Sequence, residues 1–243
     1  MSVVLEASGL AKSFGGLQAV ADVDFTVAAG EVFGIAGPNG SGKSTLFNIV
    51  TKIPFAADRG RVLFAGRAIH GLRPAEIARL GIVRTFQRES VFPALSAIDN
   101  VLLAVEYSTH GGGFAAQVAA AERALDAVGY PAPFHNSRAG QLPVFLRKLV
   151  MIASALALEP KVLLLDEPAS SLTPHEIERI RALILRLKAG GMSILLIEHV
   201  LPLLTAVSDH LMVMDQGRVI ARGDPAQVIR DPAVVEAYLG EAP

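Results

Sequence analysis

The segment Gly37–Thr45, which reads GPNGSGKST, constrains this chain more than any other feature. It fits the pattern G-x-x-x-x-G-K-[ST], in which Gly42, Lys43 and Ser44 occupy the last three positions. Glycines let the backbone turn tightly and approach oxygen atoms closely, so that loop N–H groups at the start of a helix can face phosphates. The pattern therefore predicts a phosphate-binding loop (P-loop).

The sequence on either side of the loop supports this interpretation. Glu31–Ala36 is a β-prone apolar run, and Ser44–Thr51 is predicted to form a helix. A glycine-rich turn can match the pattern by chance, but a strand before it and a helix after it are the context that a P-loop requires. The predicted ligand is ATP: Lys43 places a charge at its β and γ phosphates, Ser44 offers a hydroxyl to Mg²⁺, and Thr45 reaches the α phosphate.

Two carboxylates supply the second half of the predicted site. Asp166 and Glu167 directly follow the apolar run Val162–Leu165, so a strand end carries both to the edge where open α/β sheets bind ligands. Either acid alone could be a solvated residue at a strand end, but a P-loop upstream favours a catalytic pair. We expect Asp166 to hold Mg²⁺ through water and Glu167 to polarise the attacking water as a general base.

The rest of the sequence predicts an α/β fold with an insertion. Residues 1–87 contain short β-prone runs leading into the loop, and residues 149–243 alternate apolar strands with helices. Between them, residues 88–148 contain helical stretches separated by glycines, which predicts an inserted helical subdomain. Thr173–Glu176 has the residues of a capping box, and Asp215–Gly217 is typical of a hairpin turn.

Composition excludes several other classes of protein. The 22 basic and 23 acidic residues leave a net charge of −1, which argues against nucleic acid as a partner. The chain has no cysteine, which excludes disulfides, thiolate zinc sites and cysteine nucleophiles. The first ten residues have no basic region followed by an apolar run, so we expect no signal peptide. The longest apolar run, Leu149–Leu158, is shorter than the ~20 residues of a membrane-spanning helix. We expect a cytoplasmic chain that reaches a membrane only through a membrane protein.

With these motifs in place, the sequence resembles the ATP-binding-cassette (ABC) transporter ATPases over nearly its whole length. Phe14 falls where that family stacks an aromatic ring on adenine, although it could also be an ordinary core phenylalanine. Gln87 matches the glutamine that touches Mg²⁺ and senses the transmembrane partner, and His199 matches the switch histidine that contacts the γ phosphate. Ala169–Leu172 lies where the family has its dimer-contact loop.

The resemblance implies an α/β fold with a P-loop (RecA-like) core sheet, an antiparallel β subdomain and an inserted α-helical subdomain. Together, motif and resemblance predict three sets of site residues. The nucleotide ligands are Phe14, Gly37, Asn39, Gly40, Gly42, Lys43, Ser44 and Thr45. The catalytic residues are Glu167, His199 and Gln87, and the Mg²⁺ residues are Ser44, Gln87 and Asp166.

Within the family, the resemblance is strongest to the importers of branched-chain amino acids. It is carried by Phe14–Leu17, Arg84–Gln87, Ile197–His199 and Ala237–Glu241. It implies transmembrane permease subunits as partners, an indirect periplasmic or extracellular binding protein, and a peripheral position on the cytoplasmic face of the inner membrane. Importers of urea, amides or aromatic acids look similar, and a non-transport ATPase of the same superfamily is a further alternative.

The family's signature, LSGGQ, is degenerate in this chain. Counting back from Asp166 by the family's spacing places it at Leu142–Leu146, which reads LPVFL. Gly140 and Gln141 offer another register, which would demand a longer helix and strand after it. In the family, the signature of one subunit donates hydrogen bonds to the ATP that the other subunit holds. Pro143 supplies neither an N–H nor a hydroxyl, so we expect a heterodimer with a second ATPase subunit whose signature is intact.

Overall fold

The computed structural model describes residues 2–86, 90–108 and 113–239, so the predicted site residue Gln87 lies outside the described residues. The strands are β1 (Val3–Phe14), β2 (Leu17–Ala28), β3 (Val32–Ala36), β4 (Arg59–Phe64), β5 (Arg67–Ala68), β6 (Ile82–Arg84), β7 (Val162–Asp166), β8 (Ser193–Ile197), β9 (His210–Asp215) and β10 (Arg218–Gly223). The helices are α1 (Lys43–Thr51), α2 (Pro74–Leu80), α3 (Ala97–Tyr107), α4 (Phe114–Ala127), α5 (Val144–Leu156), α6 (Pro174–Ala189), α7 (Leu201–Val207), α8 (Pro225–Val228) and α9 (Pro232–Leu239).

The central sheet has six strands in the order β10-β9-β3-β8-β7-β6. The five strands from β9 to β6 are parallel, and β10 pairs antiparallel with β9 at the edge. Strands β3, β7 and β8 are buried along their whole length, which explains why they appear as continuous apolar runs. These three strands are neighbours, so the segments after Ala36, Asp166 and Ile197 emerge side by side at one edge.

A second, antiparallel sheet has the order β2-β1-β4-β5. The sequence alone predicts short strands at Val3–Glu6 and Val23–Val27, and this prediction is wrong in length because both strands have 12 residues. The pairing passes through register shifts, and Gly9 and Asp22 there have φ of 61° and 56°. These bulges carry the hairpin on to Phe14 at its tip.

Two apolar clusters cover the two faces of the central sheet. One joins its strands to α3, α4, α5 and α6, and the other joins them to α1 and the antiparallel sheet. Helix α5 begins inside the predicted insertion and crosses the expected boundary between residues 148 and 149. Its apolar residues on both sides of that boundary pack into the same cluster, so the helix is continuous there. The division into domains stays a prediction.

Local sequence patterns in the last third match the structure. Thr173 accepts a hydrogen bond from Glu176 N, and the Glu176 side chain bonds back, which confirms the capping box. Strands β9 and β10 form the predicted hairpin. Among the described residues, no helix is both long and apolar enough to cross a membrane.

Candidate nucleotide site

The P-loop joins β3 to α1 in the conformation that its glycines allow. Gly37, Gly40 and Gly42 have φ of 143°, 76° and 103°, which L-residues with side chains rarely adopt. A β-carbon at Gly37 would clash with the Met214 carbonyl oxygen. Lys43 is 4% exposed, and its Nζ donates to the carbonyl oxygens of Gly37 at 2.7 Å and Pro38 at 2.8 Å. The loop therefore curls around the ammonium group of Lys43.

A cavity of about 670 Å³ opens over this loop. It is lined by Phe14, Leu17, Gln18, Ala19, Asn39, Gly40, Ser41, Gly42, Lys43, Ser44, Thr45, Glu167, His199 and Gln216. The structure thus brings nine of the predicted site residues to one cavity: Phe14, Asn39, Gly40, Gly42, Lys43, Ser44, Thr45, Glu167 and His199. Gly37 and Asp166 do not line it, and both are buried beside it.

Sequence reasoning missed the wall formed by Leu17, Gln18, Ala19 and Gln216. Gly217, next to Gln216, donates its N–H to Ser41 O at 3.0 Å and accepts from Ala21 N at 2.8 Å. The β9–β10 turn is therefore bonded to both the P-loop and β2. The glycine was visible in the sequence as part of a turn, but nothing local indicated what that turn approaches.

Phe14 stands at the rim of the cavity. It is 44% exposed, and its ring meets that of Phe55 edge-on at 5.0 Å. The alternative of an ordinary core phenylalanine is therefore wrong. An accessible aromatic face beside a P-loop is suited to stacking on a nucleotide base.

Glu167 and His199, which both line the cavity, meet through their side chains. Glu167 Oε1 lies 2.5 Å from His199 Nε2, although the two residues follow different strands. The Glu167 backbone is fixed by a bond from its N–H to Ile197 O at 2.9 Å and by Lys148 Nζ, which donates to its carbonyl oxygen at 3.0 Å. These bonds fix the backbone that carries the carboxylate, and the contact with His199 engages one carboxylate oxygen.

Asp166 has one engaged oxygen and one without a partner. Arg84 Nη2 donates to Oδ2 at 2.6 Å, whereas Oδ1 is buried with no hydrogen-bond partner in the part of the chain that the structure describes. Arg84 Nη1 also donates to Asn48 Oδ1 of α1 at 2.6 Å. Burial raises the pKa of the Asp166 carboxyl, and the hydrogen bond from Arg84 opposes that rise. A buried carboxylate oxygen left without a donor fits a metal-bound water.

Glu198 is a further buried carboxylate that sequence reasoning did not single out. It is 1% exposed, and Oε1 accepts from Ala169 N at 2.5 Å, while Oε2 accepts from His199 N at 3.0 Å and Val200 N at 3.4 Å. Burial raises the pKa of Glu198, and these three N–H donors counteract it. One side chain thereby joins the Ala169–Leu172 loop to His199. A charged residue at the end of an apolar strand was the available clue.

We expect Glu198→Gln to slow ATP hydrolysis by about tenfold, a rise of about 1.4 kcal/mol in the barrier. An amide NH₂ cannot accept the N–H bonds that one carboxylate oxygen now takes, so either Ala169 or His199 is released. The affinity for ATP should stay unchanged because the P-loop is untouched. Steady-state rates and fluorescent-nucleotide titrations measure the two quantities. The exposed Glu178→Gln is the matched control, and a wild-type rate in Glu198→Gln would refute the prediction.

The segment Leu142–Leu146, which the sequence analysis predicts to be a degenerate signature, lies at the start of α5. Pro143 is the N-cap residue and provides no side-chain cap, whereas Phe145 is 4% exposed with the Arg179 guanidinium 4.4 Å from its ring centroid. Gly140 and Gln141 belong to the 3₁₀ turn that precedes the helix. The structure therefore favours the register that assigns Leu142–Leu146, since the family's signature begins a helix.

Comparisons with known proteins bear on the whole chain. A family model described as ABC transporter matches residues 20–170. The chain belongs to the ABC transporter family. A second model, described as branched-chain amino acid ATP-binding cassette transporter, matches residues 218–243 of this cassette.

Individual relatives agree with the family models. The cassette is 37% identical to the high-affinity branched-chain amino acid transport ATP-binding protein BraF of Pseudomonas aeruginosa, over 98% of both chains. It is 36% identical to LivG of Escherichia coli, a protein of the same description, again over 98% of both. A crystal structure of an ATP-binding cassette of an ABC transporter in its ADP conformation superposes with a TM-score of 0.90, at 35% identity and over 99% of this chain and 100% of that one.

These matches confirm the predicted fold class and the main activity. The cassette is an α/β ATPase of the P-loop type, and it binds nucleotide and hydrolyses ATP.

Proposed function

We propose that this ABC cassette energises a separate transmembrane permease that imports branched-chain or other hydrophobic amino acids. The observation that carries the ATPase part of this proposal is the 2.5 Å contact between Glu167 and His199 in the cavity that Lys43 also lines. The amino-acid substrate is supported by the match of residues 218–243 and by the similarity to BraF and LivG, which are branched-chain amino acid transport proteins. Import of urea, amides or aromatic acids, and a non-transport ATPase role, are the alternatives.

The chemistry proposed for the site is phosphoryl transfer to water. Glu167 accepts the proton of the attacking water on a carboxylate oxygen, and His199 orients that carboxylate and contacts the γ phosphate. Lys43 exchanges its bonds to the loop carbonyls for bonds to the β and γ phosphates. Ser44 and the free oxygen of Asp166 fit Mg²⁺ bound partly through water, with Gln87 as a further ligand. Bound Mg²⁺ would neutralise charge on the phosphates.

The proposed partners follow from the half-site that this chain presents. Permease subunits dock near Gln87 and residues 88–107, which places the cassette peripherally on the cytoplasmic face of the membrane. A second ATPase subunit with an intact signature covers the ATP on this chain's P-loop. A substrate-binding protein outside the membrane acts only through the permease. Pro143 and Phe145 support a heterodimer. Pro143 lacks the hydroxyl that the family's signature serine provides, and the bulk of Phe145 prevents the close backbone approach that a glycine allows.

Uptake by a reconstituted transporter tests this function. The cassette is co-expressed with its permeases and second ATPase, purified from membranes, and placed in vesicles with radiolabelled leucine. ATP-dependent leucine uptake is expected, and Lys43→Ala should abolish it. Uptake of urea or aromatic acids in place of leucine would select an alternative substrate, and failure to purify with any permease would overturn the transport role.

A further inference from the structure

The C-terminal helix α9 reaches the P-loop through one side chain. The Ala237–Glu241 segment marks a branch of the family in the sequence, but the proposed chemistry gives it no task. In the structure, the Tyr238 Oη accepts a 2.9 Å hydrogen bond from the backbone N–H of Gly37. These residues are 201 positions apart, and Gly37 is the first glycine of the P-loop motif.

Gly37 is constrained at each of its other groups. Its carbonyl oxygen accepts from Lys43 Nζ at 2.7 Å, and its α-carbon faces the Met214 carbonyl so closely that no side chain would fit. Its φ of 143° is a conformation that glycine alone adopts readily. The remaining group, the Gly37 N–H, donates to Tyr238 Oη, so α9 holds Gly37 from outside the loop while Lys43 holds it from inside.

Helix α9 is itself docked, which gives the tyrosine a fixed position. Val234 is 2% exposed. At the start of the helix, the Asp231 side chain accepts a hydrogen bond from Ala233 N at 2.9 Å, and the Asp231 carbonyl oxygen accepts one from Val234 N at 3.0 Å. Tyr238 packs against the apolar cluster that also contains the strands of the central sheet. The hydroxyl is therefore presented by a capped and partly buried helix.

We propose that Tyr238 is a positioning residue for nucleotide binding, which holds the Gly37 peptide and, through its carbonyl, Lys43 in the arrangement that phosphates meet. A loop held in its binding conformation before the ligand arrives loses less conformational freedom on binding. The inference rests on the ATPase function only in requiring that the P-loop of the purified chain binds ATP.

The test removes a single oxygen atom. Tyr238→Phe leaves the Gly37 N–H without this acceptor while keeping the ring, and we expect ATP to bind about tenfold more weakly. In the assembled transporter, KM for ATP should rise while kcat changes little, because the lost interaction acts equally before and during the reaction. Hydrogen–deuterium exchange of the peptide that contains Gly37 should become faster.

Tyr130→Phe is the matched control, since it also removes one tyrosine hydroxyl. Tyr130 lies shortly after α4, and its hydroxyl donates to Phe134 O at 3.3 Å. It should leave the affinity for ATP and the exchange at Gly37 as in the wild type. Melting temperatures without nucleotide separate a general loss of stability from a specific loss of affinity. Should Tyr238→Phe fail to fold, Val234→Ala, which keeps the hydroxyl but loosens α9, carries the test and should also weaken ATP binding.

Each outcome bears on one proposal. A folded Tyr238→Phe chain with wild-type affinity and wild-type exchange at Gly37 would overturn the positioning role, as would wild-type affinity in Val234→Ala when that variant is the one measured. Failure of the wild-type chain to bind a fluorescent ATP analogue would instead overturn the assignment of the nucleotide site.

Discussion

Glu167→Gln should reduce ATP turnover by about 10³-fold while leaving ATP binding intact, since general-base catalysis contributes about 10²–10⁴-fold. The amide keeps the shape of the side chain and can still accept a hydrogen bond from His199, but it cannot take a proton from water. The nucleotide should remain trapped, so a stable ATP-bound dimer is expected when the second ATPase subunit is present. Phosphate release and size-exclusion chromatography with ATP measure both effects.

Glu178→Gln provides a control of the same chemistry on an exposed helix face, where Glu178 pairs with Arg181 at 2.8 Å. That variant should hydrolyse ATP at the wild-type rate. If Glu167→Gln turned over ATP within a fewfold of the wild type, Glu167 would not be the base. Negligible turnover by the wild-type transporter would favour a module that only holds ATP.

The parts of the site that the sequence predicted are those encoded by short, continuous patterns. Lys43 and Glu167 each follow a strand that is buried and apolar along its length, so local hydropathy located the strand ends and the motif supplied the chemistry. Family membership confirms the fold class that these patterns predicted. Pairing of β1 with β2 through bulges at Gly9 and Asp22 escaped prediction, because a bulge interrupts the alternation by which strands are recognised.

The contacts that escaped prediction join residues that are distant in the chain. Tyr238 bonds to Gly37 across 201 positions, and Glu198 bonds to Ala169 across 29. Each contact depends on where whole elements pack, and no local pattern in the sequence indicates which distant residue either side chain bonds to. Only the side-by-side order of β3, β8 and β7 brings their following loops together. The supporting bonds around a site therefore require the folded structure.

Pro143→Ser should raise the ATPase rate of this chain alone by at least about tenfold, because removing one preorganised donor from a transition state costs about 10²–10³-fold in other enzymes. Pro143 is exposed and caps α5 without a side-chain bond, so serine fits the backbone there and restores a hydroxyl. Serine is also a favoured N-cap residue and should stabilise the helix by about 1 kcal/mol. Phosphate release and thermal melting follow the two effects.

Pro143→Ala separates the hydroxyl from the proline ring, since alanine restores the N–H but can neither cap the helix nor donate from its side chain. If the missing hydroxyl limits the homodimer, Pro143→Ala should remain close to the wild type while Pro143→Ser gains activity.

Adding the second ATPase subunit should raise the wild-type rate by about 10²-fold, because its intact signature covers the competent P-loop of this chain. High activity of the wild-type chain alone would contradict the heterodimer, since Pro143 and Phe145 would then not impair the site that they cover.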